Sequence, residues 1–216
     1  MRIIPSINTE NFEEAKNRIN LLKNYTNEFH IDISSKDFAN YQTWQNPKEI
    51  DRLDEDLKLH LHLMIRLKPQ EIIKWDNKRI KIFILHLEAC NLPYALIKFA
   101  KKLKKEIVLA WSSNIDEEFI EEFVKYVNGI LVLGVNPGKS GQKFLESTYE
   151  RIEKAFSLKS KFKNIKKIIL DGGLNEENIK KFIKYPFDYI VVGNAIFGKE
   201  NPKEAYNSLL NMIKSI

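Results

Sequence analysis

Four residues with the chemistry of metal ligands stand at the ends of short apolar runs. His30 and Asp32 flank Ile31, His62 closes Leu59-His60-Leu61-His62, and Asp171 closes Ile168-Ile169-Leu170-Asp171. In an extended strand, residues i and i+2 point to one face, so His30 and Asp32 present an imidazole and a carboxylate together. If these strands are neighbours around a barrel, two imidazoles and two carboxylates converge on its axis. That donor set suits one borderline divalent cation (zinc, iron, manganese or cobalt), with room left for substrate oxygens. A lone strand histidine is ordinarily a satisfied core residue, whereas four such groups together are better explained as a site. His60 shares the parity of His62 and competes with it on spacing alone, and His86 serves with it as a comparison case.

A second constellation has the makings of an anion site. Asn136-Pro137-Gly138-Lys139-Ser140-Gly141-Gln142 follows the sixth apolar run, Gly172-Gly173 the seventh and Gly193-Asn194 the eighth. Glycines let backbone N–H groups approach a phosphate closely, and a helix start adds favourable partial charge. One glycine turn is commonplace at a β–α junction, but three in consecutive loops form a specific pattern.

The elements that must carry these groups are legible as a repeat. Apolar runs recur at Ile3-Ile4, Phe29–Ile33, Leu59–Ile65, Ile80–Leu87, Ile107–Trp111, Ile130–Val135, Ile168–Leu170 and Tyr189–Val192. Between them run stripes of helical period: Phe12, Ala15, Ile19 and Leu22; then Leu92, Leu96, Phe99, Ala100 and Leu103; then Phe119, Phe123 and Val127. Asp116, Ser147, Asn175 and Pro202 are expected helix starts. Eight strands alternating with about eight helices imply parallel βα units. Counting alone does not separate an open doubly wound sheet from a closed barrel. The count of eight, and polar residues gathered just after the strands, favour an α/β fold of the (β/α)8 TIM-barrel type, one domain over residues 1–216.

Composition narrows the function classes. The 216 residues are 44% apolar, and 35 Lys and Arg against 29 Asp and Glu leave a charge of +6. The lysines are dispersed among acidic residues such as Glu117, Glu118, Glu121 and Glu122, which describes a solvated surface and no nucleic-acid face. One cysteine excludes an internal disulfide and points to a reducing compartment. No run approaches the ~18 apolar residues of a membrane span, and Glu10, Glu13 and Glu14 follow the N-terminus too soon for a signal peptide. A cytoplasmic protein is expected.

The motifs, taken in order, resemble a known family. Ile4-Pro5-Ser6-Ile7, His30-Ile31-Asp32-Ile33, His62-Leu63-Met64, His86-Leu87-Glu88-Ala89, Val135 to Gly138, Gly141 to Phe144, Leu170 to Gly173 and Val192 to Gly198 are similar to the motif set of the ribulose-phosphate 3-epimerases. The likeness runs from Ile4 to about Ala205. It implies the barrel, a homo-oligomer (dimer or hexamer) and a place in pentose phosphate metabolism. The implied reaction is metal-dependent inversion of C3 in D-ribulose 5-phosphate through an enediolate. It selects His62 over His60 as a ligand beside His30, Asp32 and Asp171, and it makes Asp32 and Asp171 the proton-transferring pair. It places Ser6 near C1 or C2 of the substrate, with His62 and Asp171 also in contact with it. Gly138, Lys139, Ser140, Gly141, Gly172, Gly173, Gly193 and Asn194 then surround the phosphate.

The chain also departs from that family. After the second-strand aspartate the family usually reads Val-Met-Asp-Gly-His-Phe-Val-Pro-Asn. Here Ile33-Ser34-Ser35-Lys36-Asp37-Phe38-Ala39-Asn40 is one residue shorter. A second pocket methionine is replaced by Leu133, leaving Met64. Ser34 is expected to make the apolar floor smaller and wetter, and residues 34–40 to line a pocket that admits a longer ketose. Lys139 stands where the family prefers Phe, and Asn194 where it prefers Ser. Trp111 and Cys90 are expected in the core. Two alternatives follow: an allulose-6-phosphate 3-epimerase, or a phosphate-sugar-binding protein with weak or no turnover.

Overall fold

The computed structural model describes residues 1–214. Ser215 and Ile216, the end of the expected domain, lie outside the described residues. The strands are β1 (Arg2–Ile7), β2 (Glu28–Ser34), β3 (Lys58–Met64), β4 (Ile80–Leu85), β5 (Glu106–Trp111), β6 (Gly129–Leu133), β7 (Lys167–Asp171) and β8 (Tyr189–Val192). They pair in chain order, all parallel, and β8 closes on β1. Every expected run is a strand, although β3, β4 and β6 end at Met64, Leu85 and Leu133, short of the full runs.

Period-two alternation sorts the barrel into two cores. On β2 and β3 the odd-numbered residues Phe29, Ile31, Ile33, Leu59, Leu61 and Leu63 face outward into the main core beneath the helices. A smaller inner core holds Ile4, Ile82, Ile84, Val108, Ala110, Leu131, Leu133, Ile169 and Val191. The even residues of β2 and β3 include instead Glu28, His30, Asp32, His60 and His62, all five buried. Register places His30 beside His60 and Asp32 beside His62. One sector of the barrel interior is therefore polar, and the apolar inner core supports it from the other side.

The helices are α1 (Phe12–Leu22), α2 (Lys36–Ala39), α3 (Pro93–Lys102), α4 (Glu117–Val124), α5 (Thr148–Lys161), α6 (Asn194–Phe197) and α7 (Pro202–Lys214). The second, third and seventh connections carry 3-10 turns at Pro47–Arg52, Pro69–Trp75 and Ile179–Lys181, so not every connection holds the helix that eight βα units imply. The α1 stripe is buried as its spacing predicts, and Asn11 caps the helix by accepting the Glu14 N–H at 2.9 Å. Leu92 is not part of the α3 stripe: it precedes Pro93, is held out of helical conformation, and is 62% exposed. Asp116 and Ser147 occupy N-cap positions without a side-chain capping bond. Asn175 accepts from the N–H groups of Glu177 and Asn178 in a turn and opens no α-helix. Pro202 begins α7 as expected. Trp111 is a core residue whose Nε1 donates to Ile115 O at 2.9 Å, and Cys90 is buried.

At the N-terminal end of the barrel, Glu28 ties the polar sector down. Its carboxylate receives Arg2 Nη1 at 2.5 Å and lies 2.9 Å from His60 Nε2, and the His60 ring meets Tyr189 edge-on at 4.8 Å. Burial pushes the His60 imidazole below its ordinary pKa, and burial beside Glu28 pushes Tyr189 up to about 12. Arg2 is largely exposed and contributes little. The buried His60 bond dominates, so Glu28→Ala is expected to lower the unfolding free energy by about 1–3 kcal/mol in urea titration. A loss smaller than ~0.5 kcal/mol, the range of ordinary surface substitutions, would contradict this role.

Candidate metal and substrate site

At the opposite, C-terminal end of the strands, His30, Asp32, His62 and Asp171 meet. One ligand atom from each lies within 4.8 Å of the others, and all four residues are buried. His30 Nε2 is 3.2 Å from both Asp32 Oδ1 and His62 Nδ1, and 3.6 Å from Asp171 Oδ2. His62 Nδ1 is 3.1 Å from Asp32 Oδ1 and 3.5 Å from Asp171 Oδ2. A ring nitrogen carries at most one hydrogen, in the plane of its ring, so these short separations cannot all be hydrogen bonds. Four donor atoms are instead gathered closely enough to share one ion. Edges of 3.1–3.6 Å match a shell of ligands about 2.1 Å from a central ion. The group fits one divalent cation.

The charges point the same way. Burial opposes ionisation of Asp32, but His30 and His62 overcome it and hold the carboxyl far below the usual range. Burial likewise opposes a charged His62, but Asp171 and Asp32 outweigh it and its pKa is pushed up to about 9. Without a metal, the cluster therefore stores a proton on His62 where a cation's charge belongs. His60 is absent from the cluster because its imidazole is engaged by Glu28 lower in the barrel. Spacing alone could not make that choice.

Ser6 and Asn8 extend the site from the end of β1. Ser6 Oγ donates to Asp32 Oδ2 at 2.6 Å. Asn8 Nδ2 lies 3.4 Å from the same oxygen and donates to Gly138 O at 2.9 Å, joining the carboxylate to the glycine loop. Sequence reasoning missed Asn8, although its spacing from Ser6 repeats the period of two. It also left His86 and Glu88 without a role. His86 continues the inward parity of Ile82 and Ile84, and its Nε2 lies 3.0 Å from His62 Nε2.

A cavity of about 680 Å³ runs from Asp32, His62 and Asp171, past Met64 and Leu133, to the glycine loops. Ser6, Gly138, Lys139, Ser140, Gly141, Gly172, Gly173, Gly193 and Asn194 all line it; His30 lies beneath it. Gly138 (φ 126°) sits so close to α2 that a Cβ would fall 2.4 Å from Ala39 O. A Cβ on Gly173 (φ 71°) would fall 2.6 Å from the Phe144 nitrogen, so neither position admits a side chain.

Residues 34–40 do not line the cavity, contrary to expectation. Ser34 is fully buried: its N–H is taken by Thr43 Oγ1 at 2.8 Å and its carbonyl by Gln45 Nε2 at 2.6 Å. The floor is therefore not wetter at Ser34. The shortened segment folds into α2, which ends at Asn40 in the left-handed region (φ 52°) and lays Phe38 against His86, ring centroids 5.1 Å apart.

The model of the ribulose-phosphate 3-epimerase family matches residues 2–197. The chain belongs to that family. It is 30% identical over 162 residues to the ribulose-phosphate 3-epimerase of Methanocaldococcus jannaschii, covering 75% of this chain and 68% of that one. With the ribulose-phosphate 3-epimerase of Helicobacter pylori (strain 26695) it shares 25% identity over 218 residues and the full length of both. Among solved structures, 3-hexulose-6-phosphate synthase from Salmonella typhimurium aligns with a TM-score of 0.72 at 13% identity, covering 100% of this chain and 99% of that one. That likeness is one of fold, and it agrees with the closed barrel.

The protonated His62 has a consequence for metal uptake. Its pKa lies above the ordinary 6.5, so below pH 9 an incoming cation displaces a proton. Apparent zinc affinity, measured by chelator competition, is expected to rise with pH by up to about tenfold per unit and to level off near pH 9. A flat profile between pH 6.5 and 9 would show that the proton is not on a ligand.

Proposed function

We propose that the chain is a divalent-metal-dependent epimerase that inverts C3 of a ketopentose phosphate, interconverting D-ribulose 5-phosphate and D-xylulose 5-phosphate. The observation that carries this reading is the pairing of Asp32 and Asp171, brought from β2 and β7 to one cation-sized centre at the head of a glycine-lined cavity. Inversion at a carbon next to a ketone needs a base on one face of the enediolate plane and an acid on the other. Two carboxylates from separate strands meet that requirement.

In one direction Asp32 takes the C3 proton and Asp171 returns one to the opposite face; the reverse reaction exchanges them. Ser6, which donates to Asp32 Oδ2, fixes that carboxylate and reaches the substrate near C1 or C2. Zinc, iron, manganese or cobalt bound by His30, Asp32, His62 and Asp171 supplies Lewis-acid stabilisation of the developing negative charge. Met64 and Leu133 border the cavity on its apolar side and limit water around the reacting carbons. Gly138, Lys139, Ser140, Gly141, Gly172, Gly173, Gly193 and Asn194 receive the phosphate, whose remote binding holds C3 between the carboxylates. The working enzyme is read as a cytoplasmic homo-oligomer of the pentose phosphate pathway. Among the described residues no helix is long and apolar enough to cross a membrane.

A coupled assay on metal-reconstituted protein tests the reading, with D-ribulose 5-phosphate and allulose 6-phosphate as parallel substrates. Pentose turnover is expected, with kcat reduced about 10²–10⁴-fold in both Asp32→Asn and Asp171→Asn. Turnover of the hexulose phosphate alone would make the protein an allulose-6-phosphate 3-epimerase. Binding of both sugars without turnover would make it a binding protein.

A further inference from the structure

Beside the cluster, just past the end of β4, lies a second row of polar groups with no part in the reaction as described. His86 Nε2 is 3.0 Å from His62 Nε2, and His86 Nδ1 is 2.7 Å from Glu88 Oε1. The two imidazole planes are only 15° apart and their centroids are 5.1 Å apart. That separation is close to the 3.0 Å nitrogen contact plus the two ring radii, so the rings meet edge to edge in a nearly common plane. This is the geometry of a linear N–H to nitrogen hydrogen bond. Both His side chains are fully buried, and the Phe38 ring packs against His86. Ser112 Oγ lies 3.3 Å from Glu88 Oε1.

Counting hydrogens along the row leaves one arrangement. A histidine that ligates through Nδ1 presents a lone pair there and must carry its hydrogen on Nε2. The facing His86 Nε2 then has to be an acceptor, which places the His86 hydrogen on Nδ1. Glu88, an acceptor through both oxygens, is what that hydrogen meets. We propose that His86 and Glu88 are positioning residues that fix His62 as the Nδ1 ligand, with hydrogens running His62 Nε2–H to His86 Nε2 and His86 Nδ1–H to Glu88. The inference rests on the metal reading of the four-residue cluster. It concerns two residues that neither ligate nor touch the reacting carbon.

The test uses zinc-loaded full-length protein labelled with nitrogen-15 at histidine. In the wild type, His62 is expected to show a metal-bound Nδ1 and an exchange-protected Nε2–H, and His86 an Nδ1–H. Zinc affinity by chelator competition should fall about 10–100-fold in His86→Phe. It should recover most of that loss in His86→Gln, whose amide oxygen can accept from His62. A hydrogen on His62 Nδ1 in the loaded wild type would overturn the proposal without any variant. So would zinc affinity in folded His86→Phe within twofold of the wild type. Wild-type protein that takes up no zinc would instead remove the metal reading, and the relay would fall with it.

Discussion

Everything in the barrel answers to one electrostatic constraint: two carboxylates and two imidazoles held within 4.8 Å of one another and away from water. Buried charge is costly unless it is paired, and two carboxylates in so small a space repel. Relief comes from protonation of His62 in the metal-free protein, or from a cation at the common centre. A cluster that must accept either needs rigid walls. The closed sheet supplies them, since its strands are bonded on both sides and the inner core of Ile82, Ile84, Val108, Leu131 and Ile169 fills the remaining sector.

The polar sector is layered along the strands. Glu28 and His60 form the bottom, the cluster the next level, and Ser6, Asn8 and the glycine loops the mouth. Ser6 and Asn8 tie the mouth to the cluster. Asn8 is the clearest link, because one amide lies beside the Asp32 carboxylate and bonds the Gly138 carbonyl of the glycine loop. Under the proposed reaction, that one side chain couples the loop that receives the phosphate to the carboxylate that moves the proton.

Much of this was legible because strand parity is a strict code. The pairing of His30 with Asp32 follows from a period of two and Asp171 from its place at a strand end, whereas His62 is preferred to His60 by the family motif. What parity cannot supply is depth. His60 and His62 face the same interior, and only the position of Glu28 separates a structural histidine from a ligand. The sequence motif at His86 and Glu88 carries no role by itself, since its meaning depends on β3 and β4 lying side by side. Residues 34–40 misled for a related reason. A departure from the family pattern marks where a chain differs, and burial decides whether that difference reaches the pocket. The 3-10 turns at Pro47–Arg52 and Pro69–Trp75 also escaped, because neither short turn carries an apolar stripe of helical period long enough to mark it.

The central claim is that these four side chains hold one ion between them. Anomalous diffraction from crystals of zinc-reconstituted protein tests it most directly. The account predicts one peak per chain, about 2.0–2.2 Å from His30 Nε2, His62 Nδ1 and one oxygen each of Asp32 and Asp171. A peak elsewhere, or none at that centre with the protein folded and zinc in excess, would contradict it.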